Sequence, residues 1–244
     1  MHIMRKSTRN FVTAAVFLVI LVAMGAGCSK TGSNITSTPV SYLSLINEAI
    51  YASSLDVYLN DTLATAPAGI PAGNYSTTYG TIRPGNYTLK FAVVGSDSIV
   101  SQLSTSLFDT LNFYTVILYN YAGGGPVQSA KIQDNFSSIS ASNANYRFFN
   151  LSPNYPNVDL YLNTSVAQPN RGLADNVTNT IYNNFTSTSP GSYNIYIKKA
   201  GTDSVIASAA NVALIGGNAY TIFLGGIIGS ATVPLQVNVL QASY

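Results

Sequence analysis

Four blocks of sequence occur twice, in the same order, within one chain of 244 residues. LDVYLN at 55–60 returns as VDLYLN at 158–163, and PGNYTLKF at 84–91 returns as PGSYNIYI at 190–197. GSDSIVSQ at 95–102 returns as GTDSVIAS at 201–208, and YTVILYN at 114–120 as YTIFLGG at 220–226. The offset is 103 residues for the first block and 106 for the other three. A period of that length marks a duplicated domain, because solenoid repeats run to about 20–50 residues. Whatever one copy folds into, the other must be able to fold into as well.

Each block reads as a strand or a turn. In LDVYLN, Leu55, Val57 and Leu59 alternate with Asp56, Tyr58 and Asn60, the period-two pattern of a half-buried strand. This puts Asp56, and Asp159 in the second copy, on the outer face. Pro-Gly opens the next strand, where Tyr87, Leu89 and Phe91 alternate as Tyr193, Ile195 and Ile197 do. GSDS and GTDS are hairpin turns, with glycine available for positive φ. YTVILY and YTIFL are nearly continuous apolar runs, which suits strands covered on both faces. Beyond the first residues no stretch keeps a helical period. Many short strands separated by turns indicate sandwiches or barrels, and two tandem β-sandwiches are the economical fit. The expected organisation is repeat 1 over 42–136, a polar linker over 137–145 that leaves room for hinge motion unless the sandwiches dock, and repeat 2 over 146–244.

The N-terminus follows different rules. Arg5, Lys6 and Arg9 precede an apolar run from Phe11 to Met24, then small residues and Cys28. A basic start, a short apolar helix and small residues are the parts of a secretory signal over 1–27. The run is too short for a confident bilayer span, which needs about 20 residues. The AGC at 26–28 resembles the lipobox of bacterial lipoproteins, with Gly25 where that pattern usually has leucine. The resemblance implies lipidation (palmitate among the acyl chains) of Cys28, the one cysteine in the chain. It also implies a membrane anchor without a transmembrane helix. Residues 28–41, polar and small, then read as a flexible tether. Ser29 stands where aspartate is associated with inner-membrane retention, so the expected location is the outer membrane of the cell envelope, on an undetermined face.

Cleavage before Cys28 changes the chemistry available. Of eleven Lys and Arg, three lie in the leader, leaving eight against nine Asp and Glu. No basic patch remains to neutralise phosphates, so nucleic acid is not an expected partner. His2, the only histidine, leaves with the leader. A Ser-His-Asp site, a Cys-His site or a zinc site built on His and Cys then has no ligands to use. No catalytic residue, metal or cofactor is assigned. The carboxylates that remain are not paired by their spacing as a glycosidase would need.

The series VDLYLN, PGSYNIYI, GTDSVIAS and AYTIFL, preceded by FFNLSP, resembles the domain of unknown function 4397 family, over nearly all of 42–244. The second copy carries the NLSP segment, whereas the first reads INEAIYASS and lacks its proline. The resemblance implies an immunoglobulin-like or transthyretin-like sandwich and brings no established activity or catalytic residue with it.

Candidate ligand contacts are the repeated Asp56 and Asp159, their neighbours Tyr58 and Tyr161, and the loop tyrosines Tyr155 and Tyr182. Carboxylates serve hard cations and sugar hydroxyls, while exposed tyrosines offer apolar area with a polar tip. The alternatives are a strand aspartate that caps a turn and ordinary cross-strand aromatic packing. Asp followed by Ser or Thr and an apolar residue recurs at Thr62, Ser98, Thr110 and Ser204, resembling an O-glycan acceptor of one bacterial phylum. Turn chemistry alone accounts for Asp97 and Asp203. The expected function is a lipid-anchored, non-catalytic binding or adhesion module for glycan or envelope protein. The alternatives are a structural spacer of the outer membrane and, third, a carboxylate-only hydrolase.

Overall fold

The computed structural model describes residues 38–65 and 69–242. The signal segment, Cys28 and the tether up to residue 37 lie outside the described residues. From Pro39 onward the chain forms one compact unit, built of four sheets.

The first copy contributes two sheets. An inner one runs in the order β4 (Asn74–Tyr75), β1 (Ser41–Glu48), β8 (Phe113–Asn120), β9 (Val127–Asp134), with β5 (Gly80–Ile82) also paired to β1. An outer one runs β3 (Thr62–Leu63), β2 (Leu55–Leu59), β6 (Gly85–Val93), β7 (Ile99–Phe108). The second copy repeats both. Its inner sheet is β13 (Thr186–Thr188), β10 (Ala144–Asn150), β16 (Ala219–Gly225), β17 (Gln236–Ala242). Its outer sheet is β12 (Ser165–Gly172), β11 (Asn157–Leu162), β14 (Gly191–Lys199), β15 (Val205–Leu214). In each copy the first strand pairs parallel with the strand of the apolar run, β1 with β8 and β10 with β16, while the neighbouring pairs are antiparallel. Both copies are therefore β-sandwiches of one topology.

The apolar runs explain how the sheets stack. Along β8, Tyr114, Val116 and Leu118 face Leu55, Val57, Leu89 and Phe91 in the first sandwich core. Ile117 and Tyr119, on the opposite face, join Ile46 and Ile132 against Phe149, Leu151, Phe223 and Leu240 of the second copy. In β16, Tyr220, Ile222 and Leu224 belong to the second sandwich core while Phe223 points to the shared interface. The two inner sheets thus pack face to face, giving four layers in the order outer, inner, inner, outer. Burying each such side chain stabilises by about 1.5–3 kcal/mol. A set drawn from both copies is therefore ample to dock them.

The linker is held as well. Asn145 accepts from Ser140 N at 3.1 Å and from Ser187 Oγ at 2.9 Å, and donates to the carbonyls of Ser140, Asn143 and Asn218. Phe136, at its start, stacks on Phe185 of the second copy with ring centres 5.5 Å apart. The room for hinge motion that its polar composition suggests is closed by these bonds and by the docked sheets.

Candidate functional site

Asp56 and Asp159 do lie on the outer faces of β2 and β11, but they do not face solvent. Each is only 7 % exposed. Asp159 accepts from Asn170 N at 2.6 Å through Oδ1 and from Gly201 N at 2.9 Å through Oδ2, tying an irregularity of β12 and the β14–β15 turn to the strand. Asp56 accepts from Thr65 Oγ1 at 3.2 Å. The turns fold back over both carboxylates, which accept from Thr65 Oγ1 in the first copy and from Asn170 N and Gly201 N in the second, the turn-holding arrangement given above as the alternative to a ligand contact.

The next outward residue in each strand is the repeated tyrosine, and here the surface opens. Tyr58, Asn60, Asp61, Lys90, Ser96 and Asp97 line a cavity of about 250 Å³ on the outer sheet of the first copy. Lys90 stands opposite Tyr58 across the β2–β6 pair, and its Nζ is 2.7 Å from Asp61. Asp61 and Asp97, which the sequence spacing does not pair, reach this same cavity. In the second copy Lys198 Nζ lies 4.1 Å from the centre of the Tyr161 ring and 3.0 Å from Asp203. The two lysines occupy non-equivalent positions, since the residue opposite Tyr161 is Tyr196. Each outer face nonetheless ends as an aromatic ring with a lysine and an aspartate beside it.

Local structure explains why these groups sit there. Asn60 and Asn163 close their strands with φ of 56° and 55°, a left-handed conformation that asparagine tolerates better than most side chains. Their side chains accept from Thr88 N and Asn194 N on the neighbouring strand. The asparagine of each LDVYLN-type block therefore fixes the turn that brings Asp61 back over the sheet in the first copy. The recurrence of an asparagine after the same strand in both copies is the sequence signal for this turn.

The loop tyrosines fall elsewhere. Tyr155 packs against the second sandwich core. Tyr182, carried on the helical turns over 175–183, stacks on Arg171 with its ring centre 3.8 Å from the guanidinium carbon. Arg171 is buried, forms an ion pair with Asp175 at 2.6 Å and donates to Gln168. Neither tyrosine joins the outer-face group. Other tyrosines satisfy backbone: Tyr114 and Tyr220 hydroxyls accept from Asp109 N and Ile215 N, and those of Tyr87 and Tyr193 donate to Arg83 O and Ser189 O. Thr62, Ser98, Thr110 and Ser204 are all exposed.

Two buried ionisable clusters, which the sequence reading did not single out, lie between the copies. Arg147 Nη1 is 2.6 Å from Asp134 Oδ1, and Tyr79 and Thr115 donate to Asp134 Oδ2 at 2.7 and 2.6 Å. Burial and the neighbouring carboxylate push the Tyr79 phenol up, so it stays a donor. Glu48, fully buried, accepts from Gly226 N at 3.1 Å, and burial pushes its carboxyl up to about 7 against the opposing effect of that bond. Gly225 makes the room, since a Cβ there would collide with the Glu48 carboxyl. These clusters join the copies, the one at Arg147 by a direct ion pair and the one at Glu48 through Gly226. Among the described residues, no group of three or more His, Cys, Asp or Glu is placed to hold a metal ion.

The family model described as a domain of unknown function, 4397, matches residues 41–161 and again 147–242. The chain belongs to this domain of unknown function 4397 family. No curated protein matches it. Both family segments span the strands that position the outer-face tyrosines, so within this chain the domain of unknown function 4397 supplies the same scaffold twice.

Proposed function

We propose that this is a lipid-anchored cell-envelope protein whose two sandwiches form one rigid, non-catalytic binding module for glycan or envelope protein. The observation that carries the reading is the repeated group of tyrosine, lysine and aspartate on the two outermost sheets, Tyr58 with Lys90 and Asp61, and Tyr161 with Lys198 and Asp203. A tyrosine face beside hydrogen-bonding and charged side chains suits the flat apolar faces and hydroxyl edges of a sugar, or a polar protein surface. Because the outer sheets lie at opposite ends of the stack, the two groups point away from each other and can engage two partners at once. Anchoring rests on the leader and Cys28. No helix among the described residues is long and apolar enough to cross a membrane.

The docked inner sheets also favour a second reading, a stiff spacer at the outer membrane. Binding of the purified chain to panels of envelope glycans and envelope proteins separates the two. The module reading expects a ligand whose affinity falls about tenfold on Tyr58→Ala or Tyr161→Ala, a loss of about 1.4 kcal/mol. Absence of binding across both panels, with deletion of the protein disturbing envelope assembly, would favour the spacer. Protease treatment of intact cells, and loss of membrane association on Cys28→Ala, test the location and the anchor.

A further inference from the structure

We propose that the first sandwich carries a second, separate binding site, a cleft for a neutral ring-bearing small molecule at the edge that the second sandwich fills with its own side chains. The cleft lies between β1 and β2 and has a volume of about 510 Å³, within the range of small-molecule sites, about 300–1,000 Å³. Its floor is Leu43, Leu45, Val57 and Leu59. Tyr75 forms one wall and is held by an edge-to-face contact with Phe223 of the other copy, ring centres 5.3 Å apart. The wall is thereby fixed in advance of any ligand, which lowers the ordering cost of binding.

The duplicated copy shows what chemistry this space accepts. Leu43 pairs with Gly80 as Tyr146 pairs with Thr186, and by the same offset Leu45 corresponds to Phe148. Tyr146 and Phe148 are buried at 4 % and 0 % exposure, and the Phe148 ring lies under the Arg171 guanidinium that Tyr182 covers. In the first copy both rings are replaced by leucine, and Ile70 stands where Arg171 does, as the pairings Leu55 with Ile70 and Val158 with Arg171 show. The segment from Gly73 to Gly80 is five residues shorter than its counterpart from Ala174 to Thr186. The turn that carries Tyr182 therefore has no equivalent there. Two rings and their cover are missing from one copy of an otherwise repeated edge.

Charge narrows the occupant. Among the described residues lining the cleft none is acidic or basic, and the polar rim consists of hydroxyls, including Thr65, Ser76 and Thr78. An ion placed on this floor would lose hydration without a counter-charge. A neutral aromatic or alicyclic body with a hydroxyl or carbonyl edge would find apolar contact below and donors and acceptors above. Burial and the nearby Glu48 carboxyl keep the Tyr75 phenol protonated, so the wall is neutral too.

The test is titration of the full chain with N-phenyl-1-naphthylamine, a neutral two-ring fluorophore. Saturable binding at one site is expected, weakened at least tenfold by the pair Leu43→Tyr and Leu45→Phe, which introduces the second sandwich's own residues. Ala64→Phe, at the exposed rim, should weaken it similarly and does not depend on repacking the floor. Tyr58→Ala should leave it unchanged, which separates this site from the outer-face module. Absence of saturable binding, or binding indifferent to both filling variants in a chain that still melts cooperatively, would overturn the assignment. Equally tight binding of the anionic 8-anilinonaphthalene-1-sulfonate would overturn the neutral-ligand part.

Discussion

Arg147 and Asp134 form an ion pair of 2.6 Å in which the side chains are 1 % and 0 % exposed, and it joins the last strand of one sandwich to the first strand of the next. Its surroundings complete the hydrogen bonding: Arg147 Nε donates to Thr221 Oγ1 at 2.9 Å and Nη2 to Thr115 Oγ1 at 3.2 Å, so the same threonine of each copy serves one guanidinium. Phe149 and Phe185 lie 5.0 and 4.7 Å from its carbon. Such a pair contributes little net energy once desolvation is counted, yet removing one partner leaves a buried charge alone.

Arg147→Met should therefore destabilise the protein by about 3–5 kcal/mol, while Arg147→Met combined with Asp134→Leu should recover much of that loss. Chemical denaturation followed by circular dichroism measures both. The parent chain should unfold in a single transition because the docked sheets couple the copies. The single variant should split it into two. A split in the parent would contradict the shared interface.

Glu48 makes that interface sensitive to pH. Its ordinary value is 4.5 and burial raises it to about 7, so between those values the folded chain holds a proton that the unfolded chain has released. Stability from this group is complete below pH 4.5 and falls as pH rises through 7, by roughly 3 kcal/mol in total. Tyr75 and Tyr119, both pushed up by burial, remain neutral over this window. Unfolding free energies measured from pH 4 to 8 should show the decline, and Glu48→Gln should flatten it. A decline of equal size in the variant would locate the titration elsewhere.

The two repeated aspartates should differ in weight. Asp159→Ala removes acceptors from Asn170 N and Gly201 N, a cost of about 2–4 kcal/mol if each bond is worth 1–2. Asp56→Ala removes one acceptor from a threonine hydroxyl, about 1 kcal/mol. Denaturation midpoints of the two variants test the order. Equal costs would mean that the carboxylates are doing something other than holding turns.

How far these features could be read from sequence depends on the distance over which each is determined. The alternation of LDVYLN placed Asp56 and Asp159 on the outer face, because strand period is local. It could not show that the turns at Thr65 and Gly201 fold back to cover them. The continuous apolar runs of β8 and β16 signalled burial on both faces, but the covering partner is the inner sheet of the other copy, which nothing local in either run selects. Arg147 is the clearest missed signal: an arginine inside the apolar segment YRFF must have a buried partner, though nothing local selects Asp134. The cleft of the first sandwich was equally hidden, since it arises from Leu43 and Leu45 standing where the other copy has rings.

The asparagine that ends each repeated strand offers the sharpest separation of backbone from side-chain effects. Asn163 has φ of 55° and its Oδ1 accepts from Asn194 N at 2.9 Å. Asn163→Gly keeps the left-handed turn accessible and loses the bond, for a cost of about 1 kcal/mol. Asn163→Ala loses the bond and also strains the backbone by a further 1–2 kcal/mol or so. Alanine should therefore be the more damaging of the two, with Asn60→Ala and Asn60→Gly behaving alike in the first copy, where Oδ1 accepts from Thr88 N at 3.0 Å. Thermal melts of the four variants decide it. If glycine proved as costly as alanine at both positions, the hydrogen bond rather than the positive φ would be what the repeated asparagine provides.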